Sequence, residues 1–313
     1  MAIDLFNTKL RHELEVSGLD ILHVLKYRYD FDNNIFPEWY VYYNYPNHMF
    51  DYHYHEALEI IFLKEGRIKV IGDFGTFILK KGDILIANCN EVHSGFFEKM
   101  SKELVDYTAV LIDVRRLFDL STHTAKDMLK KLLMRNIAAK NHITSSMDGH
   151  EDLKSIIQRV EKYYDSGNLL DSELLKTGLA TELLAVMELS GIFYKTKTDP
   201  KTKDKDFSAH VLNYVQANYK EKISTKTASS FFAYDEAQFC RLFKKHFNMT
   251  FIEFVNFYRI KIACCHNISD KSATIEHVSK SVGYDNYSYF CRNFKKYVGI
   301  SPKEFFFNNN PQS

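Results

Sequence analysis

Phe239-Cys240-Arg241-Leu242-Phe243-Lys244-Lys245 recurs 51 positions further on as Phe290-Cys291-Arg292-Asn293-Phe294-Lys295-Lys296, with six of the seven residues identical. The register persists beyond the match. Asn248-Met249-Thr250 lies opposite Gly299-Ile300-Ser301, and Glu253-Phe254 lies opposite Glu304-Phe305. A repeat of this length with helical patterning is one supersecondary module used twice. Each copy reads as helix, tight turn, helix. In the first, a helix over Thr225 to Phe232 leads into a turn at Ala233-Tyr234, and Asp235 caps a second helix reaching about His246. In the second, Thr274 to Val282 precedes a turn at Gly283-Tyr284, with Asp285 as the expected cap; Gly283 suits a turn that needs a positive φ.

The second helix of each copy has two faces. Phe239, Leu242 and Phe243, and likewise Phe290 and Phe294, must face a core. The opposite stripe is then Ala237, Cys240, Arg241 and Lys244 in copy one, and Tyr287, Ser288, Cys291, Arg292 and Lys295 in copy two. Small residues let a backbone approach closely, and one Arg per helix can fork onto guanine O6 and N7 in a DNA major groove. The lysines would meet phosphates and add affinity independent of sequence. A single stripe of this kind is ordinarily a solvated face; two at one fixed offset favour a DNA reader.

Charge agrees with that placement. The 313 residues hold 41 basic and 40 acidic side chains, but from Lys201 onward there are 17 basic against 10 acidic, a balance of +7 over a body at −6. A basic end behind an acidic body points to a polyanion partner for the end and a regulatory role for the body. A hydrophobic share of 45% excludes disorder as the main state. No stretch approaches the ~18 uninterrupted apolar residues of a membrane span, and Met1 to Leu19 has no apolar core of a secretion signal. Cys89, Cys240, Cys264, Cys265 and Cys291 are odd in number and form no Cys-x-x-Cys pair, which fits a reduced, cytoplasmic chain. Neither common glycine-rich phosphate loop is present.

Ahead of the repeat, the period changes twice. From about Ile35 to Ile112, short apolar runs alternate with turn signals: Trp39–Tyr43, Leu58–Leu63, Arg67–Ile71, Gly75–Leu79, Ile84–Ile86 and Thr108–Ile112, with Gly66, Gly72, Gly75 and Gly82 among them. This predicts a small antiparallel barrel or sandwich. From Asp113 to Tyr194 the period is helical. Leu129, Leu132 and Leu133 form one stripe, and Leu153, Ile156, Ile157 and Val160 a second; Leu174, Leu175, Leu179, Leu183, Leu184 and Met187 form a third, long enough for subunit pairing. Lys195 to Asp206 contains no apolar residue and reads as a linker.

From Ile223 to Phe306 the sequence resembles the double helix-turn-helix domain of AraC/XylS-type transcriptional regulators. The resemblance rests on Arg241-Leu242-Phe243-Lys244-Lys245, on Arg259 and Ala263, on Ile275-Glu276-His277-Val278-Ser279 and on Gly283-Tyr284. Ser288-Tyr289-Phe290-Cys291-Arg292-Asn293-Phe294-Lys295-Lys296 and Gly299-Ile300-Ser301-Pro302-Lys303-Glu304-Phe305 complete it. It implies one long helix, about Thr250 to Asn267, joining the modules so that both second helices enter successive major grooves. Ser229 and Ser279 stand where that family usually has Ala, His266-Asn267 replaces a frequent Leu-Leu pair, and Phe306 replaces an Arg. None of these falls on the groove-facing stripe.

His53-x-His55-x3-Glu59-x6-Gly66 is similar to the first cupin motif. Gly82 opens the second, and His93 falls at its histidine, with Asn88 and Asn90 where that motif has Pro and Gly. The resemblance implies that His53, His55, Glu59 and His93 converge at the barrel mouth as three imidazoles and one carboxylate, a set suited to divalent iron, manganese, nickel or zinc. The preferred reading needs no cofactor: His53, His55, Glu59, His93, Trp39 and Tyr43 bind a small molecule such as a sugar. Metal at the first four is the alternative. Tyr52, Tyr54 and Phe62 are further candidates for the pocket wall, or for core.

The expected fold is α+β and multidomain, with an N-terminal cupin-like β-barrel and following helices, then an all-α double helix-turn-helix. The boundaries are a sensor barrel at 1–120, a helical dimerisation segment at 121–194, a linker at 195–206 and a DNA-binding domain at 207–313. The expected function is a DNA-binding transcriptional activator, not an enzyme. It would be a cytoplasmic homodimer whose partners are double-stranded DNA, a small-molecule effector and RNA polymerase, with no membrane contact. Two rivals remain: a metal-dependent cupin enzyme with a fused helical tail, and a regulator whose barrel only dimerises.

Overall fold

The computed structural model describes residues 21–29, 48–97, 104–120, 123–196, 207–264 and 274–308. Two antiparallel sheets form the N-terminal body. One runs β1 (Leu22–Tyr29), β8 (Val105–Ile112), β3 (Leu58–Glu65), β6 (Ile84–Ala87), β10 (His142–Ile143). The other runs β2 (His48–His53), β7 (His93–Phe97), β4 (Arg67–Gly72), β5 (Gly75–Lys80). The runs anticipated at 58–63, 67–71, 75–79, 84–86 and 108–112 are all strands. Trp39–Tyr43 lies outside the described residues. β1, β2 and β7 are additions.

The central strands read as unbroken apolar runs because both faces of their sheet are covered. Along β3, Leu58, Ile60 and Phe62 join a cluster with the helices, whereas Ile61 and Leu63 join the barrel interior. The helices on the outer face are α1 (Val114–Leu120), α2 (His123–Leu133), α3 (His150–Asp165), α4 (Asn168–Asp171) and α5 (Glu173–Leu189). Leu153, Ile156, Ile157 and Val160 of α3, and Leu179, Leu183, Leu184 and Met187 of α5, are all buried in that cluster. The long Leu stripe of α5 is therefore mostly core, and Leu174 and Leu189 stay 85% and 88% exposed. Lys195, expected to open the linker, instead closes β11 (Phe193–Lys195), which pairs with β9 (Ile137–Ala139). Residues 197–206 lie outside the described residues.

The described C-terminal residues form helices and no strand: α6 (Phe207–Asn218), α7 (Thr225–Phe231), α8 (Glu236–Phe247), α9 (Phe251–Cys264), α10 (Ile275–Ser281), α11 (Tyr287–Val298) and α12 (Pro302–Asn308). Phe239, Phe243 and Phe247 of α8, Phe251 and Phe254 of α9, and Phe290 and Phe294 of α11 are buried in one aromatic core. The connecting helix is observed as far as Cys264; the residues expected to continue it to Asn267 are outside the described set.

The repeat governs the local geometry. Asp235 caps α8 by accepting from Gln238 N–H. In the second copy the cap is Asn286, which accepts from Tyr289 N–H, rather than Asp285. The first helices of the two copies, α7 and α10, are 50 residues apart, and the second helices, α8 and α11, are 51 apart. Asp285 is thus one extra residue in the second turn, and the residue opposite Asp235 is Asn286. Both second helices end on a left-handed residue at one repeat position, Asn248 (φ 54°) and Gly299 (φ 88°). Reciprocal capping boxes follow at Thr250/Glu253 and Ser301/Glu304. Gly283 has φ 91°, and a Cβ there would sit 2.7 Å from both the Tyr219 and Lys220 carbonyl oxygens. Arg259 of α9 donates to the Tyr219 carbonyl at 2.6 Å and the Glu221 carbonyl at 2.7 Å, and lies over the Tyr284 ring. The second module's turn is therefore held against the first module's α6–α7 loop.

Candidate nucleic-acid interface and effector site

With the phenylalanines of α8 and α11 turned inward, the opposite stripe faces out. Ala237, Cys240, Arg241 and Lys244 are exposed on α8; Tyr287, Ser288, Arg292 and Lys295 are exposed on α11, where Cys291 is half-buried. Arg241 and Arg292 occupy equivalent turns because the two helices share the 51-residue offset. Arg241, Lys244, Arg292 and Lys295 form no ion pair among the described residues; Arg292 lies over the Tyr289 ring, 5.8 Å from its centroid. Beside α11 a groove of about 490 Å³ is lined by Tyr287, Arg292, Lys295 and Lys296 together with Ser301 and Lys303 at the start of α12. Lys303 was absent from the sequence-derived set. Its signal was available, since it stands two positions after the repeated Ser301 at a helix start.

The barrel brings its four polar residues together. His53 of β2 and His93 of β7 are cross-strand partners on one sheet, Glu59 comes from β3 on the other, and His55 follows β2. All four are at most 5% exposed, and one ligand atom from each lies within 4.8 Å of the others. Glu59 Oε2 is 3.1 Å from His55 Nε2 and 2.8 Å from His93 Nε2. The Nδ1 atoms of the same two rings face backbone carbonyls, of Ala57 at 3.0 Å and Glu91 at 2.8 Å. Burial acts to raise the Glu59 pKa, but the hydrogen bonds from His55 and His93 outweigh it and hold the carboxyl well below its ordinary value. Burial acts to lower the His93 pKa, and the contact with Glu59 overcomes it and raises the imidazole above its usual value.

The space beside these residues is small, about 10 Å³, and among the described residues its walls are Leu25, Tyr27, Phe50, Ile61, Tyr107 and Leu111. Three expected wall residues lie elsewhere. Phe62 faces the helices, and Tyr52 and Tyr54 face the C-terminal core. Successive strand residues point to opposite sides, so Tyr52 must face away from the barrel interior if His53 faces into it. Trp39 and Tyr43 are outside the described residues.

Tyr52 instead joins the two parts of the protein. Its hydroxyl donates to the Phe247 carbonyl at 2.9 Å, and its ring meets those of Phe247, Phe254 and Phe257 at 5.4, 5.4 and 6.5 Å. Ile71 and Val92 belong to the same cluster. At its edge His246 Nδ1 lies 2.9 Å from Asp73 Oδ1, and Asp73 Oδ2 accepts from Val92 N–H. The C-terminal end of α8 is thus seated on β2, β4 and the turns at Asp73 and Val92.

A β-sandwich with an enclosed polar cluster, joined to a duplicated helix-turn-helix with basic outer faces, defines a two-domain regulator. Residues 37–137 match the family description "AraC-like ligand binding domain" and residues 229–307 match "helix-turn-helix domain". The chain belongs to the AraC family of transcriptional regulators. It is 31% identical over 102 residues to the uncharacterized HTH-type transcriptional regulator YpdC of Escherichia coli K12, covering 32% of this chain and 35% of that protein. It is 24% identical over 95 residues to the transcriptional regulatory protein HptR of Staphylococcus aureus NCTC 8325, covering 30% and 37%. The chain thus spans about a third of the length of these relatives. Among solved structures, ToxT from Vibrio cholerae O395 bound to (E)-4-(8-methylnaphthalen-1-yl)but-3-enoic acid is similar at 15% identity and a TM-score of 0.45, over 93% of this chain and 100% of that one. Among the described residues, no helix is long and apolar enough to cross a membrane.

Proposed function

We propose that this regulator reads double-stranded DNA by placing α8 and α11 in successive major grooves, and that occupancy of the barrel changes how the two helices are presented. Arg241 and Arg292 discriminate bases, and Lys244, Lys295, Lys296 and Lys303 contact phosphates. The carrying observation is the pair of equivalent exposed arginines on two helices whose opposite faces are fixed in one aromatic core. The protein acts in the cytoplasm as a homodimeric activator that engages RNA polymerase; the exposed face of α5, with Leu174 and Leu189, supports pairing of two copies. No residue is assigned a catalytic role. The effector binds at His53, His55, Glu59 and His93, where about 10 Å³ of free space favours an occupant smaller than a sugar.

Selection of binding sites from random DNA, followed by affinity measurements across a salt series, tests this reading. Arg241→Ala and Arg292→Ala should each lose about 1–3 kcal/mol of discrimination at one base position. Lys244→Ala and Lys295→Ala should weaken all sequences alike and reduce the salt slope by about 1. Full discrimination retained by both arginine variants would refute it.

A further inference from the structure

We propose that Tyr289 is a positioning residue for base recognition: its ring, held by Asn256 of α9, fixes the Arg292 guanidinium, so that α11 reads its bases more stringently than α8 reads its own. The inference rests on the DNA-reading role proposed above.

The two reader arginines are equivalent in the repeat but not in their surroundings. A long side chain on a helix leans toward the N-terminal turn, so the residue three positions earlier lies beneath it. For Arg292 that residue is Tyr289, whose ring centroid is 5.8 Å from the guanidinium carbon. For Arg241 it is Gln238, which has no ring to offer.

Tyr289 is itself tied down. Its hydroxyl accepts from Asn256 Nδ2 at 3.0 Å, and that amide, on a residue only 5% exposed, also donates to the Ile252 carbonyl at 2.9 Å. Its ring meets that of Tyr284 edge to face at 5.9 Å, and the Tyr284 hydroxyl donates to the Asn256 carbonyl at 3.3 Å. On Tyr284 in turn lies the Arg259 guanidinium, 5.4 Å from the ring and anchored on the Tyr219 and Glu221 carbonyls. Arg259, Tyr284, Tyr289 and Arg292 thus form a run of cation, ring, ring and cation that starts on fixed backbone and ends at the reader.

The consequence is preorganisation. A bidentate fork onto guanine needs the guanidinium plane in one orientation, and an unrestrained arginine gives up much rotamer freedom to reach it. On α11 part of that ordering precedes DNA, because the ring face attracts the cation. The lean toward the helix N-terminus also directs the guanidinium to the turns that meet base edges. A wrong base leaves a fixed guanidinium unpaired, whereas a free one can swing to another acceptor. The mismatch therefore costs more under α11.

The test uses the full chain and its selected DNA site. Arg292→Ala and Arg241→Ala first identify the base pair at which each loses discrimination, and affinities are then compared between the selected base and its alternatives there. In the parent, the penalty should be larger at the Arg292 position; equal penalties overturn the difference in stringency. Tyr289→Leu should cut the penalty at that position about two- to fivefold, with the Arg241 position and the salt slope unmoved. Tyr289→Phe, which keeps the ring, should retain most of it, and in an Arg292→Ala background Tyr289→Leu should add nothing. The proposal is overturned if folded Tyr289→Leu keeps the parent's penalty, or weakens all sequences alike as a purely structural residue would. Should Tyr289→Leu not fold, Gln238→Tyr decides: a gain of similar size at the Arg241 position supports the proposal, and no gain overturns it. Full discrimination retained by Arg292→Ala sinks the DNA-reading role itself; discrimination lost in Arg292→Ala but intact in Tyr289→Leu sinks the positioning role alone.

Discussion

Tyr52→Phe removes the hydroxyl that ties α8 to the barrel. The ring and its contacts remain, and what is lost is the donor to the Phe247 carbonyl at 2.9 Å, together with the hydroxyl's contact with the Ser94 side chain. That carbonyl lies in the last turn of α8, beyond the reach of the helix's own N–H groups. The surroundings are buried and aromatic, with Tyr52 only 4% exposed, so water cannot readily replace the hydroxyl. Leaving a buried acceptor unpaired costs about 1–3 kcal/mol. At about 1.4 kcal/mol per factor of ten, the ratio of seated to released helix-turn-helix domain should fall by roughly 5- to 150-fold. Hydrogen exchange followed by mass spectrometry reads this directly. Peptides covering 244–249 and 69–73 should lose protection together, while peptides from β3 and β8 stay protected. Asp73→Asn weakens the contact with His246 and should act in the same direction. Unchanged exchange at 244–249 in the double variant would show that the seat does not depend on these contacts, and the proposed route from barrel to DNA reader would fail with it.

Gly283→Ala should destabilise the helix-turn-helix domain more than Gly299→Ala. Both add a Cβ at positive φ, at a strain of roughly 1–2 kcal/mol, but only at Gly283 does it meet backbone oxygens at 2.7 Å; equal denaturation midpoints would contradict the geometry. The carboxyls of Glu253 and Glu304 titrate below the ordinary value of 4.5, chiefly because each accepts a backbone N–H from its capping partner, Thr250 or Ser301. Their contribution to stability is complete above about pH 4.5 and is lost as pH falls through the depressed folded values. A Glu253→Gln/Glu304→Gln double variant should therefore show a flatter stability profile below pH 4.5 than the parent.

Much of this was legible in the sequence because the repeat supplied two readings of each position. Asp235 and the left-handed ends at Asn248 and Gly299 sit where the 51-residue offset puts them. The error at Asp285 shows the limit of that reasoning: the turn residues align at an offset of 50 and the helices at 51, and one inserted residue moved the cap to Asn286. β1 escaped notice because, among the described residues, it pairs only with β8, and its exposed Lys26 and Arg28 interrupt the apolar run. The Leu stripe of α5 suggested subunit pairing because periodicity reports that a face is buried, not what buries it.

The segment Asp51-Tyr52-His53-Tyr54-His55 explains why the link between the two domains was hidden. Its composition suggested one aromatic, imidazole-rich pocket wall. In the fold, the period of two sends the histidines inward to Glu59 and the tyrosines outward: Tyr52 to Phe247, and Tyr54 to Asn213 of α6, whose amide donates to the Tyr54 hydroxyl at 2.7 Å. Neighbouring Cα atoms are about 3.8 Å apart, so a ligand on His53 or His55 is separated from the seat of the DNA reader by a single peptide unit. A shift too small to remodel the barrel is then large on the scale of the contact it perturbs. Coupling between the site and the reader requires no relay through the core, only that one short stretch of backbone cannot move one of its faces without the other.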